Sequence, residues 1–238
     1  MENTTKKITI YGEINYVLSL VLITLAVAML ASAGYGLSFV VAPAYILSEY
    51  FSWLSFGTAG YIVYGIQFLI MCALLRKVKP LLLVSFLTVV IYGLMLDAWC
   101  LIPIFNQSVT PPESLPTATR IVFFVVGLVL TCFSVALSFQ TYIYPQVYDF
   151  FVSALTRHFK LKLSIFKTAV DVSFLAISII MSFIFFKTLV GVHFGTLIMT
   201  FASGFLVSFF SKLLSKYLYS PPLFPKLAYI LDKQIMEI

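Results

Sequence analysis

The sequence predicts an all-α membrane protein of six spanning helices, built as two inverted three-helix repeats. Three observations predict it. Of its 238 residues, 61% are hydrophobic and only 10% are charged, against about 25% charged in soluble domains. Several apolar runs approach or reach the ~20 residues that cross a hydrocarbon core of about 30 Å. The order of elements in the first half (span, proline-marked segment, span, span) recurs in the second.

In chain order, residues 1–13 form a polar tail with Lys6 and Lys7, and the first span covers 16–35. The lysines, the apolar stretch and Ala31-Ser32-Ala33 also fit a secretory signal peptide. The segment has a counterpart later in the chain, so we read it as a span. Residues 36–53 carry Pro43, Glu49 and several aromatics but no Lys or Arg. They predict a broken or interfacial helix packed on the bundle, because free backbone cannot face lipid. The second span, 54–75, ends at Arg76-Lys77-Val78-Lys79-Pro80, and the third, 81–104, contains Asp97. Pro111, Pro112 and Pro116 hold 105–119 as a polar external loop. Its Asn106-Gln107-Ser108 matches a glycosylation sequon, a pattern too short to carry weight. The fourth span is 120–141, followed by a second proline-marked segment, 142–156, and the basic group Arg157, His158, Lys160 and Lys162. The fifth span is 163–186 and the sixth 194–214. Pro221, Pro222 and Pro225 then break the chain before a short amphipathic tail. The organisation is therefore tail 1–13, first repeat 14–104, external loop 105–119, second repeat 120–216 and tail 217–238.

With both termini cytoplasmic, thirteen of the fifteen Lys and Arg lie on that side or within a turn of it, Arg120 and Lys187 being the others. This is the positive-inside pattern. It also accounts for the net charge of +6 through loop bias and anionic lipid, so nucleic acid is not implied as a partner. The repeat rests on matched positions. Ser32 and Pro43 correspond to Ser134 and Pro145, Leu54-Ser55 to Leu163-Ser164, Thr58-Ala59 to Thr168-Ala169, and Gly93 to Gly204. Three crossings per half make the second half enter from the opposite side. Such repeats are a recurring transporter design, with the site between the halves.

Asp171 leads the candidate residues. It lies roughly 12 Å inside the fifth span by helical rise, on one stripe with Ser164, Lys167, Ser178 and Ser182. A carboxyl at that depth costs about 2.5 kcal/mol or more without a partner, water or a proton. Two readings compete evenly: a local pair with Lys167, which can snorkel, and an interior substrate or proton site. Asp97, nearer the outer end of its span, reads more simply as a hydrated carboxylate. Thr196, Thr200, Ser203 and Gly204 share a face of the sixth span, where small residues first of all allow close packing. Gly195 loosens the start of that helix, and His193 marks its outer boundary. Gln67 and Gln140 are further interior polar groups, and Pro43, Pro145, Gly93, Gly195 and Gly204 are the expected structural or gating positions. Cys72, Cys100 and Cys132 match no metal-site spacing. No nucleophile, phosphate-cradling loop or metal cluster appears, so the sequence predicts neither an enzyme nor a cofactor.

Ala33-Gly34-Tyr35-Gly36-Leu37-Ser38, Ala42-Pro43-Ala44-Tyr45, Ser55-Phe56-Gly57-Thr58-Ala59, Gly93-Leu94-Met95-Leu96-Asp97 and Tyr144-Pro145-Gln146-Val147-Tyr148 resemble the YczE-like bacterial membrane proteins, distantly similar to the YitT group. Lys167 to Asp171 and Gly195-Thr196 fit as well, so the resemblance covers nearly the whole chain. It implies a six-helix protein of permease type in the bacterial cytoplasmic membrane, without a defined function. One departure is Gly60, where the family pattern often has an acidic residue after the Thr-Ala of the second span. The expectation is a secondary transporter or exporter of a small organic solute, proton-coupled through an intramembrane aspartate. The alternatives are a non-transporting accessory or scaffold protein, such as the substrate-binding subunit of a multi-part transporter, and a narrow channel. Its partners are then the bilayer and the solute, with a homodimer as an option.

Overall fold

A computed structural model describes residues 8–75, 80–143, 146–226 and 228–229, with the backbone alone for 80–85 and 163–164. Helices dominate it: α1 (Gly12–Ala33), α2 (Ala42–Tyr50), α3 (Phe56–Leu75), α4 (Pro80–Cys100), α5 (Thr117–Ser138), α6 (Val147–His158), α7 (Leu163–Phe186) and α8 (Phe194–Tyr217). Four of them (α1, α3, α5 and α8), together with Ile165–Phe186 of α7, are long and apolar enough to cross a membrane, and α4 is apolar over Phe86–Cys100. The chain is thus an all-α protein with the makings of a multi-pass membrane bundle. The proline-rich connection between α4 and α5 makes two single turns of 3-10 helix, Pro103–Phe105 and Pro112–Ser114.

α1 and α5 form the central pair and run antiparallel. Gly12, at the start of α1, packs on Tyr142 just past the end of α5, while Gly34, past the end of α1, packs on Arg120 and Pro112. Gly127 lies against Ala26 and Leu30 at mid-height; a Cβ there would meet Leu30 Cγ at 2.8 Å, so only glycine lets the two backbones approach this closely. Around this pair, α4 packs on α1 and α8 on α5. Likewise α2 packs on α3 and α6 on α7, and the cross-contacts are α3 with α6 and α2 with α7.

The two short helices follow α1 and α5, which run in opposite directions, so they lie at opposite ends of the bundle. α2 starts at Pro43, which has no N–H to leave unsatisfied in a first turn. It is fixed to α7 by the stacked rings of Tyr50 and Phe185, 4.4 Å apart. The α6 helix is nearly engulfed: Val147, Tyr148, Phe150, Phe151, Val152, Ala154 and Leu155 are all buried, and its last turn carries Arg157 and His158, which suit the negative end of the helix dipole. The sequence predicts a broken or interfacial helix after the fourth span as after the first, and α6 is that helix, folded deep into the bundle. Pro145 falls outside the described residues.

Strands β1 (Ile8–Thr9) and β2 (Leu218–Tyr219) pair in parallel, which ties the two ends of the described chain to one face of the bundle. Glu13 adds to this tie by accepting the hydroxyl of Tyr142 and the backbone N–H groups of Leu223 and Phe224.

Candidate functional site

A cavity of about 260 Å³ opens beside the α1–α5 pair. Val27 and Leu30 of α1, Thr131 and Cys132 of α5, and Met199, Ser203 and Gly204 of α8 form its wall. The connection through Leu37, Ser38 and Phe39 closes one end, and Gln146 just before α6, Tyr148 and Asp149 on it, and Lys167 of α7 close the other. Each end is thus built by one of the two proline-marked segments.

The closing connection turns on two glycines with positive φ, Gly34 and Gly36, and a third, Gly191, shapes the α7–α8 connection that it meets. A Cβ on Gly36 would lie 2.6 Å from Thr196 Oγ1 and 2.8 Å from the His193 nitrogen, so the chain crosses over the start of α8 there. The Leu37 N–H donates to the Gly191 carbonyl at 2.9 Å, and the Gly195 N–H to the Tyr35 carbonyl at 2.8 Å. Gly195, Thr196 and His193 serve this junction. Thr196 Oγ1 accepts the His193 N–H as part of the α8 capping box.

At the other end, Tyr148 donates its hydroxyl to Asp171 Oδ1. Lys167 Nζ donates to the Tyr148 hydroxyl at 3.0 Å and to Asp171 Oδ2 at 3.3 Å, and its ammonium also sits 5.0 Å from the Tyr148 ring centre. Asp171 is thus fully engaged by α6 and its own helix, and it does not line the cavity. Asp149 does. Among the described residues its carboxylate takes no hydrogen bond, and it and Lys167 are the two charged groups on the cavity wall. Burial holds the Asp149 carboxyl up at about 6, with the Lys167 ammonium pulling it down and the Asp171 carboxylate adding to the rise.

Three buried hydroxyls nearby, Tyr64, Tyr92 and Thr131, have no partner among the described residues. Tyr92 and Thr131 line the cavity itself. Tyr64 packs edge-on against Tyr92 with centroids 6.3 Å apart, and both rings border a smaller void against Gln146 and Val147. Leaving such groups unpaired costs about 1–3 kcal/mol each, which a bound molecule or water removes. Gln67, buried on α3, is in the same position with both ends of its amide unpartnered.

The remaining sequence candidates serve the scaffold. Asp97 Oδ1 accepts the Gly57 N–H at 2.7 Å and its Oδ2 accepts the Ser55 hydroxyl at 2.7 Å, so it caps the start of α3 from α4. Asp97→Ala is therefore expected to cost about 1–2 kcal/mol, read as a lower midpoint of thermal unfolding in detergent. Ser178 is fully buried and bonds back to the Phe174 carbonyl, and Ser182 holds the Val190 backbone. Thr200 bonds to the Thr196 carbonyl, and Gln140 donates to Ser215 at 3.2 Å. Sequence reasoning passed over Asp149. The signal was there: it is a single acid inside the apolar run Val147-Tyr148-Asp149-Phe150-Phe151-Val152, a pattern too apolar for a loop.

Residues 10–212 match a family described as a family of unknown function (DUF6198). No curated protein matches the chain, and no solved structure does.

Proposed function

The chain belongs to that family of unknown function (DUF6198), and we propose that it is a secondary transporter exchanging a small organic cation for a proton at Asp149. The observation that carries this reading is a cavity closed by the two proline-marked segments, with a carboxylate on its wall that takes no hydrogen bond among the described residues. Charge supplies the sign. Asp149 and Asp171 face a single cation, Lys167, and Tyr148, Tyr64 and Tyr92 add no charge. One negative charge is left over, and a monovalent cation or a proton balances it. The two compete for one carboxylate, which is what exchange requires.

The membrane arrangement belongs to the same reading. We infer six crossings, with α4 as the sixth, related by a two-fold axis in the membrane plane. What supports it is the pairing of contacts: α1–α4 with α5–α8, α2–α3 with α6–α7, and α3–α6 with α7–α2. The antiparallel central pair and the two chain ends on one face fit an even number of crossings. The basic residues favour the cytoplasm for that face. The likeness to YczE-like proteins favours a permease.

The test is pH-gradient-driven uptake in proteoliposomes, with octyltrimethylammonium and choline as probes. The carboxyl of about 6 sets the expected profile: cation binding is weak below that pH, where Asp149 is protonated, and rises through it. Lys167→Met is expected to move the midpoint upward, because the ammonium favours the charged carboxylate. Failure to move either probe, with folded protein and an imposed gradient, would leave an accessory role as the better reading.

A further inference from the structure

The two halves differ at one matched place. In the first half, α3 and α4 are closed on each other at Gly57 and Gly93: a Cβ on Gly57 would run into the Gly93 carbonyl, and one on Gly93 into the Tyr61 ring. The residues matched to these glycines are Lys167 and Gly204, and both line the cavity instead. A Cβ on Gly204 would meet nothing within 4 Å. α7 rests on α2 and α6, and α8 rests on α5, and among the described residues no packed interface comparable to that of α3 with α4 joins α7 to α8. Lysine marks the difference: its side chain stands where the first half has only a hydrogen atom, and its ammonium is held toward Tyr148 and Asp171.

α7 and α8 also carry apolar side chains directed away from the bundle. Phe201 is 84% exposed, Phe205 74% and Ile184 68%, and on spanning helices such groups meet acyl chains. Behind α8 the cavity is lined by Val27, Leu30, Cys132 and Met199 and carries Asp149 on its wall. An apolar body with one positive head fits that lining: the body lies along the aliphatic wall and the head meets the Asp149 carboxylate.

We propose that the gap between α7 and α8 is a lateral portal from the acyl region of the bilayer, and that the molecule it admits is a lipophilic organic cation. The substrate class rests on the transport reading above, whereas the portal is a property of the bundle and is tested separately. Lys167 holds the portal open, Gly204 forms its threshold, and Asp149 receives the head.

A phospholipid carrying a diazirine midway along one acyl chain tests it in proteoliposomes, with adducts mapped by mass spectrometry. Adducts are expected on the outward Phe201 and Phe205 and also on the inward Met199 and Ser203. Octyltrimethylammonium should compete with the inward set alone. Gly204→Trp should reduce the inward set at least tenfold, since the indole fills open space without meeting backbone. Adducts confined to the outward residues would overturn the portal. Adducts on neither set would overturn it too, because α7 and α8 would then be covered by another chain, a second copy included. The two readings fail differently. Competed inward labelling without movement of octyltrimethylammonium keeps the portal and removes transport, whereas choline exchange with outward labelling alone keeps transport and removes the portal.

Discussion

Asp149→Asn is expected to abolish proton-linked cation exchange, lowering pH-gradient-driven uptake by a hundredfold or more while the protein still folds. The substitution keeps size and shape and removes both the negative charge and the titration. A solute head that pairs with the carboxylate loses its partner, and a proton no longer competes for it, so the coupling itself disappears. The sign with respect to folding can be worked out as well. Burial raises the carboxyl from its ordinary 3.8 to about 6, so between those values the folded protein holds a proton that the unfolded chain has released. Stability therefore falls as pH rises through that window. Asp149→Asn should remove this fall and leave a flatter profile of thermal midpoint against pH. A variant that transports normally, with the wild-type dependence on pH, would take Asp149 out of the mechanism. Asp171→Asn is the informative companion. Asp171 is held by Tyr148 and Lys167, so its loss frees the lysine to neutralise Asp149, and cation binding should weaken without the loss of titration.

Most of the helical plan was legible in the sequence because spanning helices are declared by length and apolarity, and proline and glycine mark their ends. The expected first span at 16–35 lies on α1 (Gly12–Ala33), and the expected fifth coincides with α7 (Leu163–Phe186). The site was less legible, for a physical reason. The sequence assigns depth from position within an apolar run, and this favoured Asp171, which has the longest run around it. Burial in a bundle depends on which helices cover a residue, and α6 is covered from several sides although it is only 12 residues long. A short helix folded back into the bundle carries Asp149 to the cavity without any long apolar run to announce it. Asp97 shows the opposite case. The sequence reads it as a hydrated carboxylate near the outer end of its span, but its partners, the Gly57 N–H and the Ser55 hydroxyl, come from the start of the neighbouring helix, and no periodicity along one helix reveals a cap supplied to another.

A cavity between α7 and α8 also predicts a contrast between matched glycines. Gly57→Ala should be severely destabilising, lowering the yield of folded protein and its thermal midpoint, whereas Gly204→Ala should leave both within error. At Gly57 the added methyl is driven into the Gly93 carbonyl and toward the Asp97 carboxylate, 2.7 Å away. Backbone is the neighbour that yields least, so α3 and α4 have to separate. Separation also stretches the cap that Asp97 makes to the Gly57 N–H, so packing and capping are lost together. Overpacking alone costs about 1–3 kcal/mol, and the broken cap adds about 1 kcal/mol or more; together these are a large part of the few kcal/mol by which domains are stable. At Gly204 the same methyl enters open space, and alanine is the better helix former by about 1 kcal/mol, so no loss is expected. Equal sensitivity at the two positions would mean that α7 and α8 close on each other as tightly as α3 and α4, and the cavity would then have no side open toward the bilayer.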